Sequence, residues 1–173
     1  MMNKLLVRPQ PTFPEAVKDG CQRIFDFTGR TRRSSFWWFM LAYTVCYFFL
    51  TNVWKAFFPL MLAAIFDLGM MFFALAITVR RLQDHGSSKW WAIVNYLSIT
   101  IYTLYIYGSG IGEALVNVNS SATHLTNVYQ DPVFMTTLSV ALITALVTFV
   151  LCLLDSQPKT NKYGASPKYV LDL

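Results

Sequence analysis

Four long apolar runs, separated by shorter polar segments, dominate the pattern of this chain. They cover residues 36–54, 58–79, 90–110 and 133–154. A helix rises about 1.5 Å per residue, so roughly 20 apolar residues cross the hydrocarbon layer of a bilayer, which is about 30 Å thick. The 55% hydrophobic content and the mean hydropathy of +0.43 agree with this pattern. We therefore predict an all-α polytopic membrane protein with four transmembrane helices.

The lengths of the connections predict how the four helices are arranged. Short connections at residues 55–59 and 80–89 favour antiparallel neighbours, so we expect two antiparallel hairpins. A longer segment, rich in Asn, Ser and Thr, joins runs three and four. The domain organisation we expect is an N-terminal segment at 1–33, a transmembrane domain at 34–155 and a tail at 156–173.

The positive charge alternates along the chain. Thirteen of the fourteen Lys and Arg residues lie before run one, between runs two and three, or after run four, and Lys55 alone lies elsewhere. Short cytoplasmic loops retain Lys and Arg during membrane insertion. Both termini are therefore predicted to be cytoplasmic. No signal peptide is recognisable, because the N-terminal segment has prolines and no long apolar core.

The N-terminal segment has the pattern of an amphipathic helix. Thr12 and Glu15 have the spacing of a capping box, and Pro14 falls in the first turn. Gly20 is unfavourable inside a helix, and a flexible tail is the alternative. We expect an interfacial helix on the cytoplasmic leaflet. Its apolar side would consist of Phe13, Val17, Cys21, Ile24 and Phe25.

Asp67 is the one charged residue within the runs. A carboxylate in a bilayer is costly, so it needs a proton or a polar partner. One hypothesis is a proton or cation relay in a small oligomeric transporter or channel subunit. The other is a neutral acid that hydrogen-bonds neighbouring helices, which we favour because a relay normally uses several ionisable groups. Polar residues predicted at the same depth are Tyr47, Tyr102, Thr103, Ser139 and Thr144.

A second set of polar residues follows the predicted cytoplasmic face, which we call the rim. Its arginines could attract anionic lipid headgroups, at about 1 kcal/mol each, or a partner protein. They could also pair with Asp26, Asp84 and Asp155 and so lock the base of the bundle. The candidate lipid- or partner-binding residues are Arg30, Arg32, Arg33, Arg80, Arg81, Asp84, Lys89 and Asn161.

Three ordered motifs lie at the predicted span boundaries. They read Phe25-x-Phe27-x-Gly29-Arg30-x-x-Arg33-x-x-Phe36-Trp37, Arg80-Arg81-Leu82-x-Asp84-x-Gly86-x-Ser88-x-Trp90-Trp91, and Asn161-x-Tyr163-Gly164-x-x-Pro167. In this order they resemble the bacterial inner-membrane family filed as domain of unknown function 805, over about Phe25 to Pro167. The resemblance implies a small multi-pass protein of the bacterial inner membrane, and it implies no activity. This chain departs from the family at Gln83, where His is usual, and at Lys89, where Gly is usual.

The sequence contains no recognised catalytic motif. His85 and His124 are predicted on opposite faces, so we expect no metal site and no cofactor. A lipid-modifying enzyme that uses Asp84 and His85 is a third hypothesis, disfavoured because neighbouring arginines make a carboxylate a weak base. We expect a non-enzymatic protein that binds anionic membrane lipids, a protein partner or a second copy of itself, and no nucleic acid.

Overall fold

A computed structural model describes residues 5–112 and 122–171 of the chain. The side chains of residues 5, 60, 61, 122–125 and 171 are not described. They include the imidazole of His124, so the prediction made for that side chain lies outside the described residues. The fold is helical, as expected, with one short sheet in addition. In chain order the elements are β1 Leu5–Val7, α1 Phe13–Gln22, α2 Arg33–Phe57, α3 Leu60–His85, α4 Trp90–Gly108, α5 Ala122–Gln130, α6 Pro132–Leu153 and β2 Tyr169–Leu171.

The four apolar runs coincide with the four longest of these helices. In the described chain three segments are long and apolar enough to cross a membrane, namely Arg33–Phe57, Leu62–His85 and Pro132–Leu153. Helix α4 has 19 residues, including four tyrosines and two tryptophans, and no charged residue. The expected class of a membrane protein is thus supported by three helices, and α4 is the fourth long helix of the bundle.

The long helices pack in chain order, α2 on α3, α3 on α4 and α4 on α6. The outer faces of the bundle are apolar, and large side chains such as Phe48, Ile65 and Leu146 are more than 60% exposed. Contiguous exposed apolar surface of this kind suits a lipid environment. One buried cluster lies where α2, α3, α4 and α6 meet, and it consists of Phe36, Phe39, Ile77, Val79, Leu82, Ala92 and Cys152.

Helix α3 does not end at Val79, as the apolar run predicted, but continues to His85. It ends at Gly86, which has φ +90° in the left-handed region. The left-handed conformation requires glycine here, whereas the flexible end of the Gln157 side chain, 2.3 Å from an added Cβ atom, can move aside. The run predicted too early an end because charged residues in the last turns of α3 are buried and paired rather than solvated.

Helix α1 confirms the predicted N-terminal helix, but its packing face differs from the expected one. The Thr12 N–H donates to the Glu15 carboxylate at 2.8 Å, as a capping box requires. Ala16 and Gly20 are the buried positions, and a Cβ on Gly20 would lie only 2.1 Å from the Phe39 ring of α2. The small residues of α1 thus allow it to dock closely on α2, while most of its larger apolar side chains stay partly or fully exposed.

The first and last strands form an antiparallel pair that the sequence pattern did not indicate. Leu5 pairs with Leu171 and Val7 with Tyr169. The pairing brings the two ends of the described chain to the same end of the bundle. We call this the basal end, and it carries α1, the α3–α4 turn and the C-terminal tail.

Candidate functional site

Asp84, in the last turn of α3, is the centre of a buried ion cluster at the basal end. Its side chain is fully buried. One carboxylate oxygen accepts from Arg30 Nε at 2.9 Å, and the other accepts from Arg81 Nη1 at 2.5 Å and from the Ser156 hydroxyl. The cluster therefore joins three parts of the chain, the segment before α2, the end of α3 and the tail.

Arg30 uses all five of its N–H groups within the protein. Nε binds the Asp84 carboxylate, and Nη2 donates to the carbonyl oxygens of Asp84 and Gln157 at 3.1 and 2.6 Å. Nη1 donates to the carbonyl oxygens of Lys159 and Gly164 at 3.0 and 3.2 Å. A guanidinium that is satisfied in this way holds the tail in place and has no donor left for a ligand.

The two arginines of α3 also bind backbone carbonyls. Arg81 donates to the carbonyl oxygens of Cys152, at 3.1 Å, and of Leu154, so it closes the C-terminal end of α6. Arg80 donates from Nε to the Thr31 hydroxyl at 3.1 Å, and from Nη1 to the carbonyl of Arg23 at 2.6 Å. Both side chains are fully buried. We call Arg30, Arg80, Arg81 and Asp84 the basal cluster.

The basal cluster corrects part of the predicted rim. Arg30, Arg80, Arg81 and Asp84 were candidates for binding headgroups or a partner, but their side chains are buried and bind mainly to groups of the protein itself. One buried donor, Arg80 Nη2, has no partner among the described residues. Of the two roles considered for the arginines, pairing that locks the base of the bundle is the one that the structure shows at Asp84. The reason is geometric, since the ends of α3 and α6 enclose these side chains instead of presenting them to the membrane surface.

The two other predicted acidic partners pair elsewhere. Asp26 binds Arg23, with an oxygen 2.8 Å from Nη2, and hydrogen bonds from Thr28 lower its pKa. Asp155 binds Lys168, and chiefly this hydrogen bond lowers the pKa of Asp155 below its ordinary value. Both carboxylates are partly exposed, so they contribute less to the locked base than Asp84 does.

A cavity of about 400 Å³ opens beside the basal cluster, and we call it the basic cavity. It lies between the segment that follows β1, helix α1 and the start of α2. It contains four arginines and two carboxylates. The residues around it are Arg8, Pro9, Gln10, Pro11, Glu15, Asp19, Arg23, Arg30, Thr31, Arg32, Ser35 and Pro167.

Arg32 differs from the other arginines of the basic cavity. Only 7% of the residue is exposed, yet no carboxylate of the described chain lies within 4.0 Å of its guanidinium. Its Nη1 donates to the carbonyl oxygens of Arg8 and Pro9, both at 2.8 Å, while Nε and Nη2 have no acceptor among the residues described. These two nitrogens are open to the cavity, and a guanidinium that has unused donors and no carboxylate partner favours an anion there.

Two of the other three arginines of the basic cavity are paired, whereas the exposed Arg8 has no carboxylate within 4.0 Å among the described residues. Arg30 pairs with Asp84, and Arg23 pairs with Asp26 and lies 3.9 Å from Asp19. Arg32 is also the N-cap of α2, and Ser35 in the first turn of that helix lines the same cavity, so the N-terminal end of α2 borders it. A phosphate or carboxylate group is the chemistry that such a site recognises.

The remaining rim residues have separate surroundings. Arg33 is exposed and donates weakly to the Leu153 carbonyl at 3.4 Å, and Lys89 is exposed at the N-cap of α4. Asn161 is half-buried and donates to the Gln83 carbonyl at 3.0 Å, so its role is to hold the tail. These three residues do not line the basic cavity.

Asp67 is buried between α2, α3 and α4. Each of its two carboxylate oxygens accepts a hydrogen bond from a tyrosine hydroxyl, one from Tyr47 at 2.9 Å and the other from Tyr107 at 2.7 Å. The predicted contact with Tyr47 is confirmed. On α4 the partner is Tyr107, five residues after the predicted Tyr102. None of the other candidates is hydrogen-bonded to Asp67. Thr103 and Asp67 line one cavity inside the bundle, and the hydroxyl of Thr144 lies 2.7 Å from that of Ser98.

A family described as "Protein of unknown function (DUF805)" matches residues 24–165, which include the basal cluster and every long helix. No curated protein and no solved structure matches the chain. The match covers most of the chain, and its range includes the motifs around Arg30 and Asp84 and the first part of the motif that begins at Asn161. The chain therefore belongs to the DUF805 family of proteins of unknown function.

Proposed function

We propose that this chain is a non-enzymatic, four-span protein of the bacterial inner membrane whose basic cavity binds the phosphate of an anionic lipid headgroup at the cytoplasmic face. The observation that carries the proposal is Arg32, a buried guanidinium with no counter-ion that lines a cavity of about 400 Å³. The basal cluster has a supporting role, because its Arg30 lines the cavity and holds the tail beside it.

The β1–β2 pair supports an even number of membrane crossings. These strands lie at opposite ends of the sequence, yet they are hydrogen-bonded to each other. If α2, α3 and α6 alone crossed the bilayer, the strands would lie on opposite sides of it. A crossing by α4 as well would put both strands on one side, and the excess of Lys and Arg on that side supports a cytoplasmic assignment.

The surface of α4 agrees with a fourth crossing. The helix has 19 residues, or about 28 Å at 1.5 Å per residue, which is close to the thickness of the hydrocarbon layer. Val94, Leu97, Ile101 and Leu104 are about half exposed and follow one another at helical spacing. Such a stripe would contact lipid acyl chains on the outside of the bundle.

The position of the basic cavity suits a headgroup. Arg32 comes one residue before Arg33, where the first apolar helix begins. Phe13 of α1 contacts Trp38 of α2 edge-to-face, with the ring centroids 5.6 Å apart. Tryptophan is enriched at the level of the headgroups, so the position of Trp38 beside α1 supports a cavity mouth near that level. A phosphate there would meet Arg32 and the N-terminus of α2 together.

The proposal is tested by measuring which lipids stay bound to the purified protein. Native mass spectrometry of the wild type should show retained phosphatidylglycerol. Arg32→Gln should lower the retention about ten- to hundredfold, since one hydrogen-bonded charge contributes about 1.5–3 kcal/mol. Arg33→Gln is the matched control, because it removes the same charge from the neighbouring exposed position and should retain the lipid.

Inorganic phosphate distinguishes a lipid from a soluble ligand. If millimolar phosphate does not displace the bound lipid from the wild type, the headgroup itself is recognised. If free phosphate binds in an Arg32-dependent way and no lipid is retained, the anion site stands but its ligand is soluble. Equal retention by Arg32→Gln and Arg33→Gln would overturn the proposal.

A further inference from the structure

A second cavity lies inside the apolar part of the bundle, among α2, α3 and α4. It has a volume of about 240 Å³, and we call it the Asp67 cavity. One carboxylate, several hydroxyls and one amide share it with apolar side chains. The residues around it are Met40, Tyr43, Tyr47, Asp67, Met71, Ala74, Asn95, Tyr96, Ile99 and Thr103.

The carboxylate of Asp67 has hydroxyl partners but no cation. No Lys or Arg of the described chain lies within 4.0 Å of it. Each oxygen accepts a hydrogen bond from one tyrosine hydroxyl, of Tyr47 or Tyr107, and both donors are uncharged. The carboxylate that lines the cavity therefore has no positive partner within the described part of the protein.

The polar groups opposite are also incompletely used. Asn95 is 7% exposed, and its Oδ1 accepts from Thr144 at 3.4 Å, while its Nδ2 has no acceptor among the described residues. The hydroxyl of Thr103, a half-buried residue, likewise has no hydrogen-bond partner among the described residues. Neither group is a fully enclosed atom without a partner, so both are open to the cavity, where they and Asp67 can bind the polar atoms of a ligand.

Aromatic rings give the cavity a second means of holding positive charge. Tyr43 and Tyr47 lie almost parallel, with centroids 5.9 Å apart and an interplanar angle of 16°. The hydroxyl of Tyr43 donates to the Met70 carbonyl at 3.2 Å, which fixes the ring. The faces of aromatic rings attract ammonium groups, most strongly where water is excluded.

The lining also selects the kind of cation. A bare metal ion is recognised by several oxygen ligands, usually carboxylates and carbonyls. Here one carboxylate is accompanied by Met40, Met71 and Ile99, which suit carbon atoms, and the cavity is much larger than an inorganic ion. No second carboxylate or histidine of the described residues lines the cavity, so a continuing proton path is not built into it.

We propose that the Asp67 cavity binds a small organic monocation, an alkylammonium group with one additional polar atom. The ammonium group lies beside Asp67 and the tyrosine rings, and the polar atom binds Asn95. This proposal is independent of headgroup binding, because it concerns another cavity, the opposite ligand charge and a different part of the bundle.

The experiment is a calorimetric titration of the full-length protein in lipid nanodiscs with choline. Choline should bind saturably. Its neutral isostere 3,3-dimethylbutan-1-ol has the same shape without the charge, so its affinity should be lower by at least about tenfold. Sodium chloride at the same concentration should not compete.

Asp67→Asn keeps the shape of the side chain and should weaken choline binding about tenfold or more. Asp131→Asn is the matched control, since Asp131 also accepts a tyrosine hydroxyl, from Tyr105 at 2.7 Å, but it lies at the N-cap of α6 outside the cavity. If Asp67→Asn fails to fold, Thr103→Leu tests the same point by filling the cavity, and it should weaken binding.

Four results would overturn the proposal. The first two are that choline does not bind saturably and that the neutral isostere binds as tightly as choline. The third is that a folded Asp67 or Thr103 variant binds choline as the wild type does. The fourth is that an equal concentration of sodium displaces choline. Loss of choline binding in Asp131→Asn to the same extent as in Asp67→Asn would also contradict it, since the effect would then not be local to the cavity.

Discussion

Replacing Asp84 with asparagine tests whether the basal cluster holds the two ends of the chain together. The side chain accepts from Arg30, Arg81 and Ser156 in a fully buried site. Asparagine keeps the shape but removes the charge. Its NH2 group replaces one acceptor oxygen, so a donor then faces the N–H donors of the arginines. At least one charged hydrogen bond is lost, and two buried guanidiniums have no counter-ion.

The expected loss of stability is about 3–5 kcal/mol, the cost of leaving one half of a buried ion pair unpaired. For a chain of this size each kcal/mol lowers the midpoint of thermal unfolding by about 2–4 °C, so the midpoint should fall by about 6–20 °C. The measurement is thermal unfolding followed by circular dichroism in a fixed detergent. Limited proteolysis should also show earlier cleavage in the tail.

Asp155→Asn is the control for this prediction. Asp155 lies at the same end of the bundle and pairs with Lys168, but 47% of its side chain is exposed. Exposed ion pairs contribute about 0–1 kcal/mol, so its midpoint should fall by no more than a few degrees. If Asp84→Asn is no less stable than Asp155→Asn, the basal cluster does not hold the base and the argument fails.

Three further predictions concern packing, pH and topology. Gly20→Ala should loosen α1 from α2 by about 1–3 kcal/mol, because the new Cβ overlaps Phe39, and unchanged proteolysis of α1 would contradict this. The pKa of Asp155 is lowered from 3.8 by Lys168, so its contribution is present above that value and is lost as the pH falls through the folded-state pKa. The stability difference between wild type and Asp155→Asn should therefore shrink on acidification from about pH 5 to about pH 3, and a constant difference would refute the assignment. A variant that keeps only the exposed Cys21 should react with a membrane-impermeant maleimide in inside-out vesicles and not in right-side-out ones, and the reverse pattern would contradict cytoplasmic termini.

Hydrophobic length and charge alternation predict the long helices well, because both reflect local composition. The boundary of α3 was wrong for a reason that local composition cannot reveal. Arg80 and Arg81 look like the edge of the membrane in sequence, but their partners lie in α6 and in the segment before α2. Partners that are distant in sequence, such as Thr31 and Ser156, leave no periodic signal.

The partner of Asp67 on α4 is Tyr107 rather than the predicted Tyr102, because depth was counted from a point before the end of α3. Asp67 lies 18 residues before the end of α3, and Tyr107 lies 17 residues after the start of α4, so the two are level across the hairpin. Counting depth from Arg80 instead of His85 makes the count five residues too short and selects Tyr102. The geometry was therefore predictable once the true end of α3 was known.

The basic cavity was only partly predictable. Arg32 was among the candidate residues because of its position in the rim, but nothing in the sequence distinguished it from Arg30 or Arg81. The difference arises from tertiary contacts, since Asp84 neutralises the latter two and no carboxylate reaches Arg32. The β1–β2 pair was also missed, because two strands of three residues at opposite ends of the chain have no local signature.

The most direct test of headgroup binding is to locate a bound lipid by photocrosslinking. A phosphatidylglycerol analogue with a photoreactive headgroup should label the segments that line the basic cavity, Arg8–Glu15 and Thr31–Ser35, and labelling should disappear in Arg32→Gln. Labels confined to other segments, or labels at the cavity that persist in Arg32→Gln, would contradict the account.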